Sequence, residues 1–198
     1  MTSDASPEPA TTLAALMQSR QHTGPKHLVE PGPGEAVLRA LFSAAATAPD
    51  HGRLLPWRFI VLGPEGRKRL SQAFAEALHE RDPAATEDQL ADARAKAARG
   101  PVLVLAIARL QSGHEQVPPE EQLVSLGAAI QNLLLAAEAH GFASGLSSGR
   151  GMHSDAMRRA FELAEGEQAI CCITLGTALR PRLPRPRPPM EAFVFFES

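Results

Sequence analysis

Two short segments carry the side chains whose types and spacing suggest chemistry. Asp50, His51 and Arg53 lie in a loop between a predicted helix and the Pro56-Trp57 pair that opens a predicted strand. A loop histidine can donate a hydrogen bond to a ligand, and it can equally be solvated or cap a helix. The second segment, residues 145–149, matches G-x-S-x-G, the turn that presents a nucleophilic serine in α/β-hydrolases.

The serine motif does not predict a hydrolase. That fold requires an acid and then a histidine after the nucleophile along the chain. His153, six residues after Ser147, is the last histidine, and none follows Asp155. A triad in the required order cannot be built, so a turn rich in glycine and serine explains the match.

Other common motifs are absent from the sequence. It has no P-loop, no G-x-G-x-x-G after a strand, no H-E-x-x-H and no C-x-x-C, so neither a Walker nor a Rossmann nucleotide site is predicted, and no metal site is expected. Cys171 and Cys172 are adjacent and would point to opposite faces of a strand, which favours free thiols and a cytoplasmic location.

Charge and hydropathy limit the partners. The net charge is −2, without the basic excess of a general nucleic-acid binder. The longest apolar run, residues 102–108, is far shorter than the roughly 20 residues that span a membrane. We therefore expect neither a nucleic-acid nor a membrane partner.

The elements that must position these groups follow from periodicity and turn residues. We predict an α+β fold, an α/β sandwich with a mixed sheet flanked by helices. A disordered tail, residues 1–10, precedes a single domain, residues 11–198. Helices are predicted at 11–20, 35–48, 64–81, 84–99, 120–140 and 155–164, and strands at 57–62, 101–108, just before 145, and 169–175. Residues 180–189, with five prolines, are predicted to be extended.

Several segments together resemble the nitroreductase family of flavoproteins. Ala48-Pro49-Asp50-His51 followed by Pro56-Trp57-Arg58-Phe59 resembles its "A-P-(S/D-H)…P-W-x-F" signature, in the form of its small branch of NAD(P)H nitroreductases. The helix ending at Arg20, the segment 127–137, Gly141-Phe142 with the glycine-serine turn, and Leu175-Gly176-Thr177 follow in the family's order. The resemblance spans about residues 11–196.

The resemblance implies FMN bound at a homodimer interface. It places Arg20 at the FMN phosphate, with Gln21 and His22 beside it, because a guanidinium can grip phosphate oxygens with two charged hydrogen bonds. Taken alone, Arg20 also fits a cation at a helix C-terminus. The loop residues Thr47 and His51 would touch the phosphate or ribityl chain, and the turn residues Leu146, Ser147 and Ser148 would lie against the flavin.

Three departures from the family pattern bear on FMN binding. Gln21 and His22 stand where Arg-Ser is common, Leu55 stands where Gln is frequent, and Leu146-Ser147-Ser148 replaces Trp-Arg-Ser. Each lost polar contact would weaken binding by about 1–2 kcal/mol unless compensated. The C-terminal segment offers four arginines that could compensate, namely Arg180, Arg182, Arg185 and Arg187.

The resulting hypothesis is an FMN-dependent NAD(P)H oxidoreductase that reduces a nitroaromatic, a quinone or a similar electron-poor acceptor by a ping-pong mechanism. The flavin would supply the chemistry, so no side chain is assigned as catalytic. The expected partners are a second copy of the chain, wrapped by the C-terminal extension, and a small-molecule acceptor. The alternative is a degenerate, flavin-binding or flavin-less member with a sensing, storage or interaction role. The choice between NADH and NADPH stays open.

Overall fold

The computed structural model describes residues 8–180, 183 and 185–197. Its first helix, α1 (Pro9–Ser19), begins inside the segment predicted to be a disordered tail. Pro9 occupies the first helical turn, where its fixed φ favours the helix and its missing N–H is not needed. The prediction was wrong for Pro9 and Ala10, while residues 1–7 lie outside the described residues.

The remaining elements are helices and strands in mixed order, and helices packed on an antiparallel sheet confirm the predicted α+β class. In chain order they are β1 (Leu28–Val29), α2 (Glu35–Ala45), β2 (Trp57–Val61), α3 (Pro64–Arg81), α4 (Glu87–Ala95), β3 (Val102–Arg109), α5 (Pro119–Ala139), β4 (Ala143–Ser147), α6 (Asp155–Ala160) and β5 (Glu167–Ala178). Within the described ranges, no helix is long and apolar enough to cross a membrane.

The strands form one five-stranded sheet centred on β5, which pairs with β1, β3 and β4, while β2 pairs with β3. All four strand pairings are antiparallel, where a mixed sheet was predicted. One reason is that two helices, α3 and α4, separate β2 from β3, so the chain re-enters the sheet from the end that it left. The parallel pairing is an isolated bridge between His22 and Ser144.

Helices cover both faces of the sheet. Helices α2 and α5 pack on the face that carries Val104, Ala106 and Ile173, and Trp57 lies in this core, 6% exposed. Helices α3 and α6 pack on the face that carries Leu105, Ile107 and Cys172. The adjacent cysteines therefore enter different cores as free thiols, as predicted. This arrangement leaves β4 at an edge, paired only with β5 and the bridge.

The structure corrects the predicted turn around the serine motif. Gly145, Leu146 and Ser147 belong to strand β4 and pair with Thr174, Ile173 and Cys172 of β5. The ladder satisfies the backbone N–H and C=O groups that a turn would leave unpaired, and it outweighs the low strand preference of glycine and serine. The following helix, α6, ends four residues earlier than predicted, and it is capped by Ser154, whose hydroxyl accepts a hydrogen bond from the N–H of Met157.

Candidate cofactor site

The end of α1 is fixed against the edge strand β4. The N–H of Thr23 donates to the carbonyl of Ser144 at 2.9 Å, and the N–H of Leu146 donates to Nδ1 of His22 at 3.4 Å. Gly145 makes this approach possible, because a Cβ atom there would overlap the carbonyl oxygen of Thr23. The structure therefore brings Arg20, His22 and Leu146 together at one edge of the sheet.

Arg20 has an unsatisfied donor at this edge. It is half-buried, and its Nε atom is buried without a hydrogen-bond partner among the described residues. A buried donor left unpaired costs about 1–3 kcal/mol. A group that accepts hydrogen bonds from the guanidinium would remove that cost, and an anion is the natural candidate.

The C-terminal segment adds two further arginines at the same place. Nη2 of Arg187 donates to the carbonyl oxygen of Arg20 at 3.0 Å, and the N–H of Arg185 donates to Oε1 of Gln21 at 3.4 Å. No described carboxylate forms an ion pair with Arg20, Arg185 or Arg187. The edge is locally basic, which favours an anionic ligand.

The predicted turn residues lie on two sides of the strand that contains them. Leu146 is 37% exposed and pairs with Ile173, on the α2–α5 face. Ser147 and Ser148 line a cavity of about 450 Å³ on the opposite face, and the hydroxyl of Ser148 donates to the carbonyl of Ile170 at 2.7 Å. Ser147 lies in a strand rather than a strand-to-helix elbow, and Nδ1 of His153 is hydrogen-bonded to Gln168, so the serine motif is no hydrolase site.

Thr47 and His51 contact helix α5 instead of this edge. Thr47 accepts a hydrogen bond from Nδ2 of Asn132 at 3.1 Å, and Nδ1 of His51 lies 2.7 Å from Oε1 of Glu121. The imidazole and the carboxylate are both about half-exposed. No described hydrogen bond joins either residue to Arg20, and their described side-chain partners belong to α2 and α5.

The loop that carries His51 has a strained and well-anchored backbone. The carboxylate of Asp50 accepts hydrogen bonds from the N–H groups of Leu54 and Leu55 at 3.1 and 2.9 Å. Arg53 and Leu55 have φ values of 53° and 47°, in the left-handed region that side chains rarely adopt. Strain of this kind persists where surrounding bonds hold it, and it is frequent at binding sites.

The two thiols are not suited to nucleophilic chemistry. Burial raises the pKa of the Cys171 thiol to about 11 and that of the Cys172 thiol to about 12. Both therefore stay protonated near neutral pH, whereas the thiolate is the reactive form.

Some contacts at the site were beyond sequence reasoning. The arginine-rich composition of the C-terminal segment indicated that it could bind an anion. No local sequence pattern indicated that Arg185 and Arg187 contact the end of α1. The partners of the predicted loop residues, Glu121 and Asn132, lie 70 and 85 residues away along the chain, and no local pattern indicated either contact. Of the four tail arginines, Arg182 lies outside the described residues.

Comparisons with known proteins agree on one family. Residues 28–177 match the family model described as "Nitroreductase family". A Haemophilus influenzae protein named "Putative NAD(P)H nitroreductase" is 35% identical over 154 residues, which cover 78% of this chain and 83% of that protein.

Solved structures share the fold. The crystal structure of a nitroreductase-like family protein from Bacillus cereus superposes with a TM-score of 0.78 at 21% identity and covers 100% of both chains. The FMN-dependent nitroreductase NfnB from Mycobacterium smegmatis, in complex with NADPH, superposes with a TM-score of 0.69 at 19% identity and covers 96% of this chain and 99% of that one. The predicted nitroreductase-like fold is thereby confirmed.

Proposed function

Because the chain belongs to the nitroreductase family, we propose that this oxidoreductase binds FMN and uses it to pass electrons from NAD(P)H to a small electron-poor acceptor. The observation that carries the proposal is the guanidinium of Arg20. Its buried, unpaired Nε and the neighbouring Arg187 form a basic edge that fits the phosphate of FMN.

The residues of this chain divide the binding task between them. Arg20 would hold the phosphate, with Gln21 and His22 beside it. Leu146, Ser147 and Ser148 would present backbone and small side chains to the flavin. Thr47 and His51, which contact α5 rather than this edge, would reach the FMN of a second copy, so that the site is completed in a homodimer.

The basic edge offsets the departures from the family pattern. Gln21 replaces a common arginine, but its side chain accepts the N–H of Arg185 and so helps to hold the C-terminal segment at α1. Arg187 then supplies a cation close to Arg20. These contacts favour the flavin-binding interpretation over a flavin-less one.

The protein's role in the reaction is to bind, orient and shield. When bound, FMN supplies a ring that can take up two electrons as a hydride and release them to an acceptor. No side chain need act as a nucleophile, since Cys171 and Cys172 stay protonated and no described hydrogen bond joins Ser147 to a histidine. Donor and acceptor would use the same cavity in turn, which gives ping-pong kinetics.

Replacing Arg20 tests the proposal. Arg20→Ala removes a charge-assisted contact worth about 1.5–3 kcal/mol, so we expect the Kd for FMN to rise roughly 10- to 150-fold. The measurement is a flavin-fluorescence titration of the flavin-free protein. Urea unfolding should show no loss of stability, because the deleted Nε donor has no hydrogen-bond partner among the described residues.

The matched control is Arg39→Ala. Arg39 lies on α2, is 78% exposed and pairs only with Glu35 on its own helix, so its loss should leave the Kd for FMN unchanged. An unchanged Kd in Arg20→Ala would show that Arg20 is merely a cation at a helix end.

A further inference from the structure

The cavity beneath Ser147 has an apolar interior. It lies between α3, α4 and the sheet and has a volume of about 450 Å³. Leu70, Phe74, Leu103 and Met152 line it, and all of them except the half-buried Phe74 are buried. Ligand pockets in proteins typically measure roughly 300–1,000 Å³, so this one can hold a single aromatic ring with its substituents.

The charged residues that line the cavity all have the same sign. They are Arg81, Lys96, Arg99 and Arg150, and no aspartate or glutamate lines the cavity. None of the four forms an ion pair with a described carboxylate. The nearby carboxylates of α3, Glu76 and Glu80, are bonded to Arg159 instead. Four cations without counter-charges around a concave site concentrate anions there.

From this geometry we propose that the cavity selects an anionic aromatic acceptor, a flat apolar ring that carries a carboxylate, sulfonate or phosphate. The ring would occupy the apolar interior, and the anionic group would face the cations. The inference rests on the proposed function, because Ser147 and Ser148, which line this cavity, belong to the segment expected to lie against FMN.

The reaction of such an acceptor is balanced by the donor already proposed. With 4-nitrobenzoate, the nitro group gains two electrons and two protons, one N–O bond breaks, and the oxygen leaves as water. The products are 4-nitrosobenzoate and NAD(P)⁺, because NAD(P)H gives up a hydride and the solvent provides the second proton. The carboxylate does not change, so it serves only in recognition.

A pair of acceptors that differ only in charge tests the proposal. In the FMN-loaded protein, kcat/KM should be higher for 4-nitrobenzoate than for 4-nitrobenzamide. The preference should shrink in 1 M salt, where the Debye length falls to about 3 Å. Lys96→Gln and Arg150→Gln should each reduce the ratio of the two kcat/KM values roughly two- to five-fold. Arg94→Gln, which removes an equal charge from α4 outside the cavity lining, should not.

Other outcomes would overturn the proposal. A ratio near one in the wild type, or one that all three variants change equally, would show no selective cavity. The cavity variants could instead change the preference for NADPH over NADH and leave the ratio of the two acceptor kcat/KM values unchanged. That result would mean that the cations bind the nicotinamide donor and not the acceptor. Calorimetric binding of 4-nitrobenzoate to flavin-free protein separates this proposal from the preceding one. If FMN binding fails while Arg150-dependent calorimetric binding persists, the cavity still takes the anion and only the flavin assignment falls.

Discussion

Glu167, at the start of β5, ties three segments together. Its carboxylate accepts hydrogen bonds from Nε and Nη2 of Arg58, both at 2.7 Å, and from the N–H of Ala164 at 3.1 Å. The side chain is only 12% exposed. The hydrogen bonds from Arg58 hold the pKa of this carboxyl below its usual range, against the opposing effect of burial.

The ion pair between Glu167 and Arg58 predicts that the stability of the protein depends on pH. Glu167→Gln should lower the free energy of unfolding by about 2 kcal/mol at pH 7, because Arg58 loses a bidentate charged partner. Since the folded pKa lies below the unfolded value of about 4.3, the wild-type contribution is complete above that value and is lost as the pH falls through the folded pKa. In urea unfolding between pH 3 and 7, the difference in the free energy of unfolding between wild type and variant should therefore become smaller as the pH falls.

Glu165→Gln is the control for this prediction. Glu165 is exposed two residues away and should show no such difference. If Glu167→Gln lowered the free energy of unfolding equally at pH 3 and pH 7, the ion pair would contribute nothing and altered packing would explain the lost stability.

Single residues show both the reach and the limit of sequence reasoning. The position of Arg20 at the end of a helix followed from the pattern, and the burial of Trp57 followed from the apolar strand that it opens. The contact between Arg187 and Arg20 joins residues 167 positions apart, and no local pattern encodes a contact of that kind. The orphaned Nε of Arg20 is likewise a property of packing.

At the scale of elements, strand β4 determines whether the end of α1 can form a site. The strand contains Gly145 because the carbonyl of Thr23 occupies the space that a side chain would need. The bridge between His22 and Ser144 then sets the distance from Arg20 to Leu146 and Ser147.

We predict that Gly145→Ala will disturb stability and FMN binding together. The added methyl group must push the Thr23 segment away, and overpacking of this kind costs about 1–3 kcal/mol. Urea unfolding and an FMN titration should both show the loss. Gly113→Ala is the control, because a Cβ atom at that loop position meets nothing within 4 Å. Normal stability and a normal Kd for FMN in Gly145→Ala would contradict the role given to this junction.

The bounds of elements with a clear apolar periodicity were predicted accurately, whereas the bounds of the other elements were not. Helix α3 was predicted at its observed bounds because Pro64 starts it and its apolar residues repeat every four positions. The segment predicted as one helix at 84–99 shortens to α4, capped by Thr86 and Gln89, and continues as a 3-10 turn. The strand predicted just before residue 145 was found as β4, but its last three residues, 145–147, were assigned to a turn because glycine and serine lack strand preference.

At the scale of the whole molecule, large apolar side chains are exposed on several segments. No residue of α1 is buried, and Leu13 and Met17 are 49% and 47% exposed. Phe195 and Phe196 near the C-terminus are 85% and 84% exposed. Exposed apolar groups on several segments favour contact with another protein surface, and we expect that surface to be a second copy of the chain.

Sedimentation velocity tests this expectation. The wild type should sediment as a dimer at micromolar concentration, and Phe195→Ser combined with Phe196→Ser should raise the dimer dissociation constant at least about tenfold. The control is Val61→Thr, which changes an exposed apolar residue at the end of β2 and should leave the dimer intact. A monomeric wild type would rule out a site completed by a second copy.

The presence of a reducible flavin tests the central claim most directly. The protein, purified and incubated with excess FMN and then desalted, should be yellow and retain about one FMN per chain. Anaerobic NADH or NADPH should bleach the flavin absorption, and a nitroaromatic or quinone should restore it. A colourless protein that retains no FMN and does not oxidise NAD(P)H would contradict the assignment of this chain as an FMN-dependent oxidoreductase.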